Sequence, residues 1–153
     1  MSILKIIEAG APILKETAKP VGHITKHTKK LLDDMAETMY KAEGVGLAAP
    51  QINQSLQLVV LDDGNGLIEL INPEILEHSE ETEMGVEGCL SVPGYYGSVS
   101  RYKKIKVRAL NRHGKTVIYE PEDFLARIFQ HEIDHLYGKL FIEKAKNLRR
   151  VNE

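Results

Sequence analysis

Two histidines four residues apart, with an acid directly after the first, constrain this chain more than any other feature. On a helix, His131 and His135 lie one turn apart, so both imidazoles can bind one metal ion. Glu132 then lies beside that ion, where it can take a proton from a bound water molecule. The pattern predicts a helix near the end of the chain and a third metal ligand from elsewhere, whereas the alternative is a solvated helix that matches the motif by chance.

The third ligand is expected upstream of the histidines, and Cys89 is the candidate. After His135 the chain offers only Glu143 and Glu153 as carboxylates, and no further histidine. Cys89 is the single cysteine and lies in the glycine-flanked segment Glu87-Gly88-Cys89-Leu90-Ser91. If this segment is extended, its thiolate can complete a Cys-His-His set with one open coordination position. The other interpretation of a lone cysteine is a small buried apolar residue.

A third segment, residues 44–51, combines small residues with a glutamine. It follows a helix rather than a strand and lacks the Lys-Ser/Thr ending of a phosphate-binding loop, so it predicts neither a dinucleotide site nor a phosphate site. Small residues such as Gly46 allow backbone to approach a ligand closely, and Gln51 offers an amide donor. The alternative is a tight connection in which the glycines serve only the turn.

Hydrophobic spacing predicts two long helices. Residues 26–43 repeat apolar side chains at every third or fourth position, with Gly44 as the expected C-cap residue. The second helix carries the two histidines and is expected to begin at Pro121 and to end at Gly138. The apolar stripes of the first helix comprise Leu31, Met35 and Met39, and Leu32, Ala36 and Tyr40.

Two antiparallel hairpins are predicted between these helices. Each consists of a strand, a short polar turn and a returning strand, at residues 56–61, 63–66 and 67–71, and at residues 103–110, 111–114 and 116–119. This order of elements indicates an α+β fold, with antiparallel hairpins packed around the C-terminal metal-binding helix and one long helix in the first half. We expect residues 1–153 to form a single catalytic metallohydrolase domain.

Composition excludes several classes of partner. A net charge of −2 with 27% charged residues argues against the basic surface of a nucleic-acid-binding or membrane-surface protein. No apolar run approaches the roughly 20 residues that span a bilayer, and the first residues do not resemble a signal peptide. A single cysteine cannot form an internal disulfide, which fits a reducing compartment. We therefore expect a soluble, cytoplasmic protein that binds neither DNA nor a membrane.

Taken in order, the three motifs resemble those of the peptide deformylases. That family's pattern is Gly-x-Gly-x-Ala-Ala-x-Gln, then Glu-Gly-Cys-x-Ser, then His-Glu-x-x-His, and all three are complete here at residues 44–51, 87–91 and 131–135. The similarity covers essentially the whole chain, since Ile71-Asn72-Pro73 and residues 107–110 also resemble the family.

The resemblance implies an activity, namely hydrolytic removal of the N-formyl group from the starting methionine of new polypeptides. Cys89, His131 and His135 would bind one divalent metal ion, for which ferrous iron is the expected species and zinc, nickel or cobalt the substitutes. Glu132 would serve as general base and then general acid. The Gln51 amide and the backbone N–H of Leu90 would stabilise the oxyanion.

The resemblance also implies a pocket for the methionine side chain and a nascent polypeptide as partner. Apolar residues beside the histidines, Leu125 among them, would form its wall; the expected substrate-binding residues are Val45, Gly46, Gly88, Phe124 and Ile128. Two features depart from the family pattern. Tyr95-Tyr96 replaces a segment in which some members carry an arginine, and Arg127 occupies a helix position where an apolar residue is expected.

The basic residues near the end of the chain suggest a transient contact with the ribosome, although a solvated basic end is the alternative. They are Lys144, Lys146, Arg149 and Arg150.

Two other functions use the same motifs. A zinc peptidase would cleave internal peptide bonds, and a non-catalytic protein would bind the metal or formylated peptides only. The Cys89 ligand argues against the peptidase, and Glu132 argues against the binding protein, which needs no base.

Overall fold

The computed structural model describes residues 2–151, so the predicted domain bounds 1–153 include residues 1, 152 and 153, which lie outside the described range. Within that range the chain forms two α-helices, α1 (Lys26–Lys41) and α2 (Asp123–Leu136), and eight strands. The strands are β1 (Gly46–Ala48), β2 (Leu58–Leu61), β3 (Ile68–His78), β4 (Thr82–Cys89), β5 (Val92–Tyr102), β6 (Ile105–Leu110), β7 (Thr116–Tyr119) and β8 (Lys146–Arg150). In this described part of the chain, neither helix has the length and apolarity that a membrane span requires.

The first sheet has five strands in the order β1-β2-β3-β6-β7, all paired antiparallel. Helix α1 covers one face of it and α2 covers the other. Strand β2 shows why both helices are needed, because all four of its residues are buried. Val59 and Leu61 pack toward α2, whereas Leu58 and Val60 pack toward α1. The sheet is therefore the middle layer of the fold, and the predicted α+β class is confirmed.

Helix α1 follows its predicted span but ends at a different residue. Thr25 caps its start, where the side chain accepts a hydrogen bond from the backbone N–H of Thr28. Its C-cap residue is Ala42 rather than the predicted Gly44, and Glu43 takes a left-handed conformation with φ 58°. Gly44 follows, and its backbone N–H donates to the carbonyl of Met39. Of the predicted stripe, Tyr40 is the exception, since it is 48% exposed.

Helix α2 begins later than predicted, at Asp123 rather than Pro121. The carbonyl of Pro121 accepts a hydrogen bond from the backbone N–H of Ile105, and Glu122 pairs with Lys104 as an isolated antiparallel bridge. These pairings keep the chain extended up to Glu122, so the prediction of a helix start at Pro121 is wrong. Gly138, with φ 73°, ends the helix as predicted.

Both predicted hairpins are confirmed, as β2–β3 and β6–β7. The strand predicted at 56–61 begins only at Leu58, and β3 continues beyond its predicted end as far as His78. A second sheet, in the order β4-β5-β8, was not predicted at all. Its apolar core is small and is formed by Val92, Val99 and Phe141, with Cys89 packed against them. This second sheet carries the cysteine to α2.

Candidate active site

The three proposed metal ligands lie together in the structure. One ligand atom from each of Cys89, His131 and His135 falls within 4.8 Å of the others. The Sγ atom of Cys89 is 3.3 Å from Nε2 of His135, and the two imidazole centroids are 5.1 Å apart. A thiolate with two imidazoles is a donor set that divalent transition metals bind well. The group therefore fits one such ion.

Helix α2 has one face on the core and another on the candidate site. Ala126, Phe129, Ile133 and Leu136 lie on the side that packs against the five-stranded sheet. The neighbouring face of the helix carries the buried polar side chains of the site, those of His131, Glu132 and His135. Cys89 comes from the other side, at the last position of β4, before the two-residue turn that joins β4 to β5.

Glu87 orients the His131 imidazole, a role that the sequence analysis did not assign to it. Its Oε1 atom accepts a hydrogen bond from Nδ1 of His131 at 2.8 Å, which leaves Nε2 for a metal ion. Burial opposes the charge on Glu87, but hydrogen bonds from Arg101 and His131 outweigh it and hold the pKa of Glu87 below its usual range. Glu87 is therefore an ionised carboxylate behind His131, one of the proposed metal ligands.

Two arginines hold Glu87 in place. Arg101 donates from Nε and Nη2 to the two carboxylate oxygens, both at 2.8 Å, and Arg127 donates from Nη1 to Oε2 at 2.6 Å. Arg101 also binds Asp134 on α2 at 2.7 Å. Bidentate arginine–carboxylate pairs fix orientation as well as distance. This network was missed because its members are far apart in sequence, and only the position of Glu87 in the cysteine motif gave a signal.

Glu132 is a buried acid beside the two histidines. The residue is 4% exposed, and its Oε1 atom has no hydrogen-bond partner within residues 2–151. Its Oε2 atom lies 4.0 Å from Nε2 of His131, and its carboxyl group packs so closely on Gly46 that a side chain there would collide with it. Burial raises the pKa of Glu132 to about 7. Glu132 is therefore suited to exchange protons near neutral pH.

The charges around the two imidazoles differ. Burial disfavours a charge on His131, but Cys89, Glu132 and Glu87 outweigh it and raise the pKa of His131 to about 10. Burial and the nearby His131 instead lower the pKa of His135 well below its usual value. The surroundings thus favour a positive charge on His131 and keep His135 neutral, the form in which an imidazole can bind a metal.

The proposed oxyanion donors flank the cysteine. The Gln51 amide is held by the backbone N–H of Ala48, which donates to Oε1 at 2.9 Å. Its Nε2 atom donates to Ser91 Oγ at 3.1 Å and to Cys89 Sγ at 3.4 Å. The backbone N–H of Leu90, in the β4–β5 turn, forms no hydrogen bond with any residue that the structure describes. Both donors are thus beside the ligand group.

A cavity of about 470 Å³ opens beside the ligand group, within the usual range for small-ligand sites. Arg127 and both tyrosines, Tyr95 and Tyr96, line it together with His131 and Glu132. Leu125, by contrast, packs against the core and does not line the cavity. The five predicted substrate-binding residues all line the cavity, namely Val45, Gly46, Gly88, Phe124 and Ile128.

Arg127 does not offer a free charge to this cavity. Besides Glu87, its guanidinium binds the backbone carbonyls of Val99 at 2.9 Å and of Glu83 at 2.8 Å. Gly85 lies directly against the guanidinium, so that a side chain on Gly85 would collide with it. Arg127 therefore connects α2 to β4 and β5. This residue, which departs from the family pattern, forms part of the cavity wall.

Comparison with known proteins gives consistent results. A family model described as Polypeptide deformylase matches residues 3–151. A peptide deformylase of Carboxydothermus hydrogenoformans is 58% identical over 150 residues, which cover 98% of each chain. A peptide deformylase of Halothermothrix orenii is 58% identical over 147 residues, which cover 95% of each chain.

Solved structures show the same similarity. The crystal structure of peptide deformylase from Thermotoga maritima matches with a TM-score of 0.93 at 46% identity, over 94% of this chain and 98% of that one. A peptide deformylase from Synechococcus elongatus, crystallised in complex with actinonin, matches with a TM-score of 0.92 at 38% identity, over 94% of this chain and 79% of that one.

Proposed function

The chain belongs to the peptide deformylase family, and on this premise we propose that it hydrolyses the N-formyl group of N-terminal formylmethionine in newly made polypeptides and releases formate. One observation carries the proposal. Glu132 is a buried acid with one oxygen that has no hydrogen-bond partner among residues 2–151, and it lies beside the Cys89, His131 and His135 group at the edge of a cavity. A protein that only binds metal or peptide has no need for that acid, so the arrangement favours an enzyme.

Cys89, His131 and His135 would hold one divalent ion, and ferrous iron is the ion we propose in the cell. Such an ion supplies a Lewis acid, which polarises a carbonyl group and makes water more acidic. The residues around it support this assignment. Glu87 fixes the orientation of His131, and burial keeps His135 neutral.

The protein residues handle the proton and the developing charge. Glu132 takes a proton from the attacking water as the oxygen–carbon bond forms at the formyl group. The Gln51 amide and the Leu90 N–H then stabilise the oxyanion of the tetrahedral intermediate. When the carbon–nitrogen bond breaks, Glu132 gives the proton to the leaving amine, so that formate and a free amino terminus are the products.

We place the methionine side chain in the cavity, between Val45 on one side and Phe124 and Ile128 of α2 on the other. Gly46 and Gly88 allow the peptide backbone to approach the reacting group closely. We further propose a cytoplasmic location, formylated nascent chains as the partner, and one catalytic domain spanning residues 1–153. A transient ribosome contact through the basic C-terminal strand stays a prediction.

Formate release tests the activity directly. The metal-loaded protein is incubated with a short formyl-Met peptide and, separately, with the same peptide lacking the formyl group. We expect formate from the first peptide and no cleavage of internal peptide bonds in either peptide. Cleavage of the unformylated peptide would favour a peptidase, and binding without formate would favour a binding protein.

Glu132→Ala tests the proposed proton carrier. We expect kcat to fall by roughly 10²-fold to 10⁴-fold, the range for loss of a general acid–base, while metal content stays near that of the parent. Metal analysis and formate release on the same preparation provide the measurement. Glu122→Ala removes an exposed carboxylate just before the same helix and serves as the control. Loss of the metal together with activity would show that Glu132 supports or forms a metal ligand instead.

A further inference from the structure

Residues 2–9 have no regular secondary structure, yet they connect α1 to the candidate active site. Two of their backbone N–H groups bind side chains of α1. Ser2 donates to Asp34 Oδ1 and Leu4 donates to Thr38 Oγ1, both at 2.8 Å. Farther along, Ile7 and Ala9 donate instead to the two loops that carry the proposed oxyanion donors. We refer to residues 7–9 as the strap.

Each end of the strap binds one of these loops. The backbone N–H of Ile7 donates to the carbonyl of Gln51 at 2.6 Å, and that of Ala9 donates to the carbonyl of Ser91 at 2.8 Å. Gln51 lies in the short 3-10 turn after β1, whereas Ser91 lies in the turn between β4 and β5. The two residues are 40 positions apart in sequence. The strap therefore joins loops that belong to different sheets.

The same two loops also meet inside the site. Gln51 Nε2 donates to Ser91 Oγ at 3.1 Å, and both residues are almost fully buried, with 1% and 0% exposed. The N–H of Leu90, which has no partner among the described residues, is one residue before Ser91. A shift of either loop would change the separation between the Gln51 amide and this N–H. Oxyanion donors act only when they lie about 2.7–3.1 Å from the developing charge, so the separation matters for catalysis.

We propose that the strap fixes the spacing of the two oxyanion donors, with Ile7 acting through Gln51 and Ala9 acting through Ser91 and Leu90. Ile7 and Ala9 are then positioning residues, because their backbone N–H groups hold the loops and do not touch the substrate. The proposal rests on the proposed function, since the spacing matters only if the two donors stabilise an oxyanion.

Ile7→Pro removes the N–H that holds Gln51 and tests the proposal. It is compared with Ile7→Ala, which keeps the backbone N–H. Both variants lack the isoleucine side chain, so a difference between them reports on the N–H. We expect kcat of the proline variant to be lower by about 10-fold to 10²-fold, as for a slightly misplaced catalytic group. KM for the formyl-Met peptide and metal content should agree within about twofold, because binding is not the property affected.

Lys5→Pro is the control for proline itself. Lys5 is exposed, lies outside the strap, and its backbone N–H has no hydrogen-bond partner within the described part of the chain. Its kcat should stay close to that of the parent. A kcat of Lys5→Pro as low as that of Ile7→Pro would attribute the loss to a general disturbance of the N-terminal segment, and the proposal would be abandoned.

A double-mutant cycle asks whether Ile7 acts through Gln51. Gln51→Leu alone should lower kcat by about 10²-fold to 10³-fold. If the strap works by placing that amide, adding Ile7→Pro to Gln51→Leu should lower kcat no further than adding Ile7→Ala does. A full additional 10-fold loss would show that Ile7 acts by another route, and a merely structural role would produce that result.

Three further outcomes are decisive. Ile7→Pro could fail to fold or to bind metal, and in that case the α-hydroxy analogue of isoleucine is placed at residue 7 instead. This analogue replaces the N–H with an ester oxygen and keeps the side chain. An unchanged kcat for this analogue overturns the proposal. An active parent with equal kcat for Ile7→Pro and Ile7→Ala overturns the strap alone. A parent that releases no formate overturns the proposed function, and the strap loses its catalytic purpose with it.

Discussion

Helix α2 contacts the two sheets through interfaces of opposite character. Against the five-stranded sheet it packs apolar side chains such as Phe129 and Ile133, which are buried among residues like Val107. Against the three-stranded sheet it presents polar groups. Arg101 of β5 binds Asp134 of the helix, and Gln130 of the helix exchanges hydrogen bonds with both backbone groups of Tyr102 at 3.0 and 2.8 Å.

The difference shows how stability and precision are divided in this fold. Apolar burial is non-directional and provides most of the free energy of folding. Charged hydrogen bonds contribute less net stability, because buried ions lose their hydration, but they fix direction. The three-stranded sheet carries Cys89 to the histidines, so its directional interface controls the geometry of the site. Substitutions at the two interfaces should therefore differ in kind.

The largest effect is expected in the apolar interface. Phe129→Ala removes a fully buried ring and should lower the free energy of unfolding by about 3–5 kcal/mol. Metal content per folded molecule should stay near that of the parent, because no charged partner of the ligands is touched. Urea unfolding and metal analysis measure the two quantities. Phe124→Ala is the control, because Phe124 lies on the same helix but is 55% exposed. It should change the free energy of unfolding by no more than about 0.5 kcal/mol.

The next effect is expected in the charged interface. Glu87→Gln removes the carboxylate charge that orients His131 and should weaken metal affinity by about 10-fold to 100-fold. Competition with a chelator measures this affinity. Glu83→Gln, an exposed position on the same strand, is the matched control. Unchanged affinity in Glu87→Gln, with a loss of stability alone, would remove the distinction between the two interfaces.

The smallest effect concerns Asp34, a buried carboxylate on α1 that lies outside both interfaces. A hydrogen bond from Lys30, against the opposing effect of burial, lowers the pKa of Asp34, with help from the Ser2 N–H. Because the folded pKa lies below the unfolded value of about 4, the ionised group stabilises the fold above that pH. This contribution is lost as the pH falls through the folded pKa.

Asp34→Asn should therefore cost at most about 1 kcal/mol at pH 7, since the Lys30 partner is largely exposed. It should also reduce the dependence of stability on pH below about 4. Urea unfolding of parent and variant between neutral and acid pH measures both effects. Glu8→Gln changes an exposed carboxylate and is the control. A variant that kept the parent's full acid dependence would contradict the assignment.

The five-stranded part of the fold could be predicted because it is apolar. Helix α1 and strand β2 bury continuous or periodic apolar residues, and this pattern is visible in the sequence. Their exact ends could not be predicted. Glu43 takes the left-handed position beside Gly44, and Pro121 stays extended because the strand neighbours Ile105 and Lys104 hold that segment. At Pro121 a contact distant in sequence overrides the local preference for a helix start.

The three-stranded sheet could not be predicted for the opposite reason. Strand β4 leaves half of its eight residues exposed, and its one buried residue is the charged Glu87, so no period-two apolar pattern appears. For the site, the motifs predicted which residues lie beside the cavity but not what holds them. Arg101 meets Glu87 and Asp134 only after folding, and no local pattern predicts which arginine pairs with which acid.

The ligand group also has a consequence for the unfolded chain. Cys89 and His135 are 46 positions apart in sequence, and their ligand atoms come from a strand and a helix. An ion held by both would close a loop of that length, much as a disulfide does, and would restrict the unfolded chain by at most about 4 kcal/mol of conformational entropy. Bound metal would then act as a reversible cross-link, so the protein's resistance to heat and proteolysis would follow the availability of the ion.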